Sequence, residues 1–223
     1  MKNFFTSLKR FIASSKFFWQ FRHFFQFNAF QKNYGYVPEK HFISFFNFPI
    51  KSVLDYGCAT SDKLFYFIDR SANFVYGIDI NRKAIKTSKK KASEINSTKL
   101  NFFFDNKFNQ LNLTNFLKAN DLKKFDLLIF DRVLYIMNIK DIEKFLSFMS
   151  QYTHYIYIDD FYIPKNKKSP IKNYLGYRHL DYDSILKNHG FDIIKSTKSP
   201  YKDVTHSHTR ACLYKKKKTN YEK

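Results

Sequence analysis

The chain predicts an α/β fold, a mostly parallel sheet covered by helices on both faces, and three observations carry that expectation. From residue 52 onward, short runs rich in β-branched and aromatic residues alternate with helical stretches, the pattern of repeated strand-helix-strand units. Five successive apolar runs close on an acid, at Asp55, Asp79, Asp105, Asp131 and Asp159-Asp160. Asp55 and Asp79 stand two dozen positions apart, the length that one such unit needs. With 223 residues there is room for one well-cored domain and an appendage.

Taken in order, residues 52–55 read as the first strand and 62–69 as its helix. Residues 74–79 form a second strand that stops at an acid, 82–95 a Lys-rich helix, and 100–104 a third strand ending at Asp105-Asn106. Residues 111–119 supply the next helix, and the apolar run 125–130 is a buried fourth strand. An amphipathic helix over 141–151 leads to a fifth strand at 155–158, closing on Asp159-Asp160. Beyond a Pro- and Lys-rich connection (164–170), a polar helix at 182–188 precedes two further strands, 190–194 and 211–214. No internal repeat is evident.

The first fifty residues have a different character. Phe4, Phe5, Leu8, Phe11, Ile12, Phe18 and Trp19 recur at helical spacing, with Lys2, Lys9 and Lys16 on another face, and no acid precedes Glu39. Such a basic amphipathic segment suits a cap packed over the following domain, peripheral membrane contact through residues 1–30, or a targeting segment. The expected division is a helical cap over 1–50, one catalytic domain over 51–215 and a basic tail over 216–223.

The formal net charge of +20 invites a nucleic-acid or membrane partner. Lys, Asn, Phe, Ile and Tyr are all abundant while Gly and Pro are sparse, however, a bias that AT-rich codons produce whatever the function. A solvated Lys-rich surface therefore stays open beside the functional reading. Cys58 and Cys212 are too few for a disulfide framework or a CxxC zinc site, and a cytoplasmic setting, membrane-peripheral or not, is expected. No run approaches the roughly 18 uncharged apolar residues of a membrane-spanning helix.

The segment Asp55-Tyr56-Gly57-Cys58-Ala59-Thr60-Ser61 brings an acid and small residues to the end of the first strand, where a ligand can approach the backbone closely. A dinucleotide pyrophosphate would meet the negative charge of Asp55, whereas a cationic ligand would not. Asp79 can accept both hydroxyls of a ribose, so the pair fits a nucleoside that carries positive charge.

Over about residues 52–214 this arrangement resembles the class I S-adenosylmethionine (SAM)-dependent methyltransferases. The resemblance implies a doubly wound seven-stranded sheet of order 3-2-1-4-5-7-6 with an antiparallel last strand, and SAM as cofactor. It implies that Asp55 and Gly57, followed by Ala59, hold the methionine end and that Asp79 takes the ribose hydroxyls. Ile80 would cover one adenine face, Asp105 and Asn106 would meet the adenine edge, and Asp131 with Arg132 would lie near the methionine portion. The family loop usually runs Gly-x-Gly-x-Gly; here Ala59 and Ser61 replace its second and third glycines.

Methyl transfer needs chiefly alignment of acceptor, methyl and sulfur. Where the acceptor is a hydroxyl, a base helps, and Asp160 and His179 are the expected catalytic residues, ahead of His206 and His208. Asp131, Asp159 and Asp160 also resemble the divalent-cation ligands of catechol-type O-methyltransferases. His206 and His208 with Asp203 form a weaker metal candidate. The Asn/Asp-Pro-Pro-aromatic tetrad of base-methylating enzymes is replaced by Asp131-Arg132-Val133-Leu134, and no Glu lies between Glu143 and Glu222 to complete a ribose-methylating Lys-Asp-Lys-Glu set. A small-molecule, glycan or lipid-linked acceptor is therefore expected, entering between the N-terminal aromatic helices and the segment 161–182, with Tyr135, Tyr162, Tyr174 and Tyr177 as candidate walls. RNA-directed methylation and a non-catalytic SAM-binding or membrane-peripheral role are the alternatives.

Overall fold

The computed structural model describes residues 39–60, 62–70, 72–104, 114, 117–119, 121, 124–137, 139–163, 179–199 and 209–217. A short helix α1 (Glu39–Ile43) leads into β1 (Ser52–Tyr56), a 3-10 helix (Asp62–Arg70), β2 (Phe74–Asp79), α2 (Arg82–Glu94) and β3 (Leu100–Phe104). Then follow β4 (Phe125–Asp131), a 3-10 turn (Leu134–Ile136), α3 (Ile139–Met149), β5 (Thr153–Phe161), α4 (Tyr182–Asn188), β6 (Phe191–Lys198) and β7 (Thr209–Lys216). The seven strands form one sheet of order β3-β2-β1-β4-β5-β7-β6. Strands β1 to β5 pair in parallel and β7 runs antiparallel to both β5 and β6, as the resemblance implied.

Alternation along the strands divides the core into two layers. Leu54, Tyr76, Leu128, Phe130, Ile156, Ile158, Cys212 and Tyr214 face α3 and α4, meeting Ile142, Phe145, Leu146, Met149 and Leu186. Val53, Val75, Leu127, Ile129, Tyr157, Ala211 and Leu213 face the other way, against Phe42, Leu64, Phe67, Ile85 and Ala92. Fully buried Phe42 and Phe45 meet the Tyr157 ring edge-on, each at 5.1 Å, so residues of the expected cap closest to the sheet belong to its second core. The rest of that cap, residues 1–38, lies outside the described residues.

The chain leaves β1 toward β2 on one side and returns to β4 on the other, so the order reverses between β1 and β4. Ligands of open α/β sheets bind at the carboxyl edge of such a reversal. Two expectations that bear on the site need correction. β5 runs to Phe161, three residues beyond the expected end, because its partner β7 begins at Thr209 and pairs with it there. Asp159 and Asp160 therefore lie within the strand. The element after β1 is a 3-10 helix in place of the expected α-helix.

Candidate functional site

At the end of β1 the chain turns through Gly57, whose φ of +81° lies in the left-handed region that glycine occupies without a steric penalty. A side chain there would also collide with β4's exit, since a Cβ would sit 2.7 Å from Val133 Cγ2. The Gly57 and Cys58 amides donate to the Ile78 carbonyl at 2.8 and 3.1 Å, which stitches the loop to β2. Gly77 lets the strand pass: a Cβ there would lie 2.7 Å from both Cys58 Sγ and a Phe102 ring carbon. Ala59 has φ +48°, a conformation that costs an L-residue roughly 1–2 kcal/mol, so the position given to glycine in the resembling family keeps that backbone shape here.

Asp79 clamps the loop from the neighbouring strand. Its Oδ2 accepts from the Ala59 amide at 2.8 Å and its Oδ1 from the Asn81 amide at 2.7 Å. Asn81 in turn caps α2, accepting from the Lys83 and Ala84 amides at 2.9 and 3.2 Å. Ser88 Oγ of α2 lies 3.3 Å from the Ala59 carbonyl. Burial raises the Asp79 carboxyl, partly offset by amide donors at Ala59, Asn81 and Ile80.

Asp55 is 4% exposed, and its Oδ1 finds no hydrogen-bond partner among the described residues. Burial pushes its carboxyl up to about 7; Lys63 pulls it down and Asp79 pushes it further up. Lys63 projects from the 3-10 helix into this corner, where it forms an ion pair with Asp131 and has its ammonium 5.3 Å from the Phe42 ring centroid. Burial lowers Lys63 to about 8, opposed by Asp159 and Asp55 and reinforced by Arg132.

Beside it Arg132, also left-handed at φ +56°, turns its guanidinium inward. Its Nε lies 3.3 Å from Asp159 Oδ1 and its Nη2 donates to Ser199 Oγ at 3.0 Å, while Ser199 Oγ donates to Asp159 Oδ2 at 3.0 Å. The guanidinium carbon stands 5.1 Å from the Phe161 ring centroid. Acids from β1, β2, β4 and β5 thus surround two inward-pointing cations at one edge of the sheet.

Asp55, Gly57, Ala59, Asp79, Ile80 and Asp131 are brought together at this edge, with Ile80 half-buried directly after Asp79. Asp105, Asn106 and Ser61 lie outside the described residues, as do Asp203, His206, His208, Tyr174 and Tyr177. Asp160 is 0% exposed, accepting from the Leu134 and Tyr135 amides through Oδ2 at 2.9 and 3.3 Å and from its neighbour Phe161 through Oδ1 at 2.8 Å. The fold therefore turns its carboxylate onto backbone amides. His179, 3% exposed, packs its ring 5.3 Å from that of Phe161.

Tyr135 and Tyr162 are core residues in place of pocket walls: the first meets Phe161 edge-on at 5.0 Å, and the second bonds its hydroxyl to that of Tyr214 at 2.9 Å. Asp131, Asp159 and Asp160 do not converge as cation ligands, each being engaged by Lys63, by Arg132 and Ser199, or by backbone amides. Among the described residues no group of three His, Cys, Asp or Glu side chains is placed to hold a metal.

Sequence reasoning missed Lys63, the Arg132 guanidinium and Ser199. Lys63 carried a signal, a lone cation directly before the apolar run Leu64-Phe65-Tyr66-Phe67 and hence on a helix otherwise bound for the core. Ser199 carried none, since only the β5-β7-β6 pairing brings it to Asp159, 40 positions away.

A family model described as a methyltransferase domain matches residues 49–197. Among curated proteins no match is found. Solved structures share the fold: magnesium protoporphyrin IX methyltransferase from Synechocystis PCC 6803 with bound SAM has 18% identity, covers 80% of this chain and 76% of its own, and gives a TM-score of 0.58. The Burkholderia thailandensis 1,6-didemethyltoxoflavin-N1-methyltransferase, with bound S-adenosylhomocysteine, has 13% identity over 81% of this chain and 76% of its own, TM-score 0.59. The [4+2]-cyclase SpnF has 12% identity over 80% and 79%, TM-score 0.61.

Proposed function

Because the chain belongs to the methyltransferase-domain family and is a class I SAM-dependent methyltransferase, we propose that it methylates a small-molecule, glycan or lipid-linked acceptor, with the edge built around Asp55 and Asp79 as the cofactor site. The observation that carries the site is the buried Asp55 carboxylate, held up near 7 with one oxygen lacking a hydrogen-bond donor among the described residues, beside a left-handed loop with no side chain at Gly57. A carboxylate so desolvated is stabilised by a cation. The ammonium of a methionine group supplies one, and Lys63 supplies the complementary charge for its carboxylate. Asp79, fixed by backbone amides that include those of Ala59 and Asn81, retains acceptor capacity for a ribose diol.

When bound, the sulfonium supplies an electrophilic methyl group for in-line transfer. The chain's own part is to hold and desolvate. Asp55 and Lys63 fix the two charges of the amino-acid end, Asp79 and the Gly57 to Ala59 backbone fix the nucleoside, and Ile80 adds an apolar face. Asp160 and His179 act as positioning residues: Asp160 ties the Leu134–Ile136 turn to β5, and His179 packs beside Phe161, the residue that also supports Arg132. The acceptor class rests on the missing nucleic-acid tetrads, and two fold neighbours are named for small-molecule methylation.

Incubating purified protein with methyl-labelled SAM and fractionated cell extracts tests this reading. Label is expected in the metabolite or lipid-linked fractions. Label confined to RNA would replace the acceptor class, and thermal stabilisation by SAM without transfer to any fraction would leave a binding protein.

A further inference from the structure

The helix α2 carries six cations, Arg82, Lys83, Lys86, Lys89, Lys90 and Lys91, against one acid, Glu94. Its buried positions, Ala84, Ile85, Ser88 and Ala92, define one face; at about 100° per residue Lys83, Lys86 and Lys90 lie opposite it, and Lys89 is exposed at its flank. Arg82 is drawn aside, its guanidinium carbon 4.3 Å from the Phe104 ring centroid. The only acid of the helix sits at its end, where its carboxylate lies 3.8 Å from Lys90. Helices on the other side of the sheet are balanced in sequence: α3 carries Asp141 and Glu143 with Lys140 and Lys144, and α4 carries Asp183 with Lys187. A compositional excess of lysine alone would charge both faces alike.

We propose that the lysine row of α2 is a docking surface for an anionic lipid bilayer. Three lysines on one exposed helix face, with Lys89 at its flank, present point charges outward, which suits a layer of anionic headgroups. The row carries no exposed aromatic side chain on which a nucleic-acid base can stack, and its one arginine is engaged by Phe104. A second observation points the same way. The chain enters the described structure at Glu39 through α1, whose Phe42 shares the core layer of Ile85 and Ala92 of α2, so both belong to one face of the sheet. The 38 residues before that entry contain no acid and repeat aromatic and basic residues at helical spacing. A polybasic patch and an apolar basic segment in one chain are the two signals that stable peripheral binding requires.

The inference is independent of the acceptor and of the cofactor site. Each lysine near such a surface multiplies partitioning about fivefold, so four contribute on the order of several hundredfold at low salt. The full chain is expected to co-sediment with phosphatidylcholine vesicles containing 30 mol% phosphatidylserine (roughly the plasma-membrane regime), weakly with phosphatidylcholine alone, and to be released by added salt. K83E/K86E/K89E/K90E, or the milder set with Gln at all four positions, should lose that binding while keeping the SAM-induced rise in melting temperature. K144E/K187E, on the other face, should keep both. Vesicle binding undiminished in both four-site variants overturns the proposal. So does tight binding of a labelled single-stranded RNA by a wild-type chain that ignores vesicles.

Discussion

Asp55 shows how one side chain couples the site to pH. Its carboxyl is raised to about 7 because burial removes water from it, with Lys63 only partly compensating. A cationic ligand needs the ionised form, so below about pH 7 the proton competes with the cofactor, weakening affinity by up to about tenfold per pH unit. Calorimetric titration of SAM between pH 5.5 and 8.5 should show this slope, with proton release on binding at the acid end. In Asp55→Asn the affinity should fall at least tenfold and lose that dependence, while the apo-protein's melting temperature holds or rises, since a desolvated charge has been removed. At Gly57 both the φ of +81° and the Val133 methyl oppose a side chain. Gly57→Ala is expected to cost roughly 1–3 kcal/mol in a urea titration and to reduce SAM affinity with it.

At the scale of elements, the extension of β5 past Ile158 explains why Asp160 serves the fold. Two of its three backbone bonds join the Leu134–Ile136 turn to β5, the third being to its neighbour Phe161, and that turn follows Arg132, the residue that reaches Asp159 and Ser199. Asp160→Ala leaves three buried amides without their acceptor. The expected loss is about 2–4 kcal/mol, read as a lower urea midpoint at unchanged slope, with SAM affinity falling less than in Asp55→Asn. Were Asp160 the base instead, kcat would collapse at unchanged stability. The β6 edge differs from the rest of the sheet: its register with β7 shifts between Ile193 and Lys195, and Ile193 and Ile194 are both exposed beside that irregularity. The shift interrupts a strand edge that regular pairing would leave open to further strands.

For the whole molecule, the same buried charges set the dependence of stability on pH. Asp55 and Asp160 are both raised to about 7 from 3.8, so between those values the folded chain holds more protons than the unfolded one. Their contribution is full below about pH 4 and is lost as pH rises through 7; Asp79, also raised by burial, acts in the same sense, and His41, lowered by burial, opposes it. Lys63 is lowered to about 8 from 10.5, so stability returns as pH rises above 8. The apo-protein's melting temperature should therefore pass through a shallow minimum near pH 7–8. SAM, whose ammonium would compensate Asp55, should raise it most in that window, and NAD should not. A monotonic melting profile from pH 5 to 9.5 would contradict this balance.

Much of this design is written locally. Alternating apolar runs, an acid ending β1 and β2, and the small residues after Asp55 mark the strands and the ligand edge, because backbone pleat and turn sterics act over a few residues. By itself the sequence determined the α/β class, the element order and the neighbourhood of Asp55, Gly57, Ala59 and Asp79. Only the tertiary structure decided that Asp160 faces amides, that Tyr135 and Tyr162 are core, and that Lys63, Arg132 and Ser199 join the acids of four strands. Those outcomes depend on strand register and on which charges share a desolvated corner, and both are set by contacts between residues tens of positions apart, which no local pattern encodes.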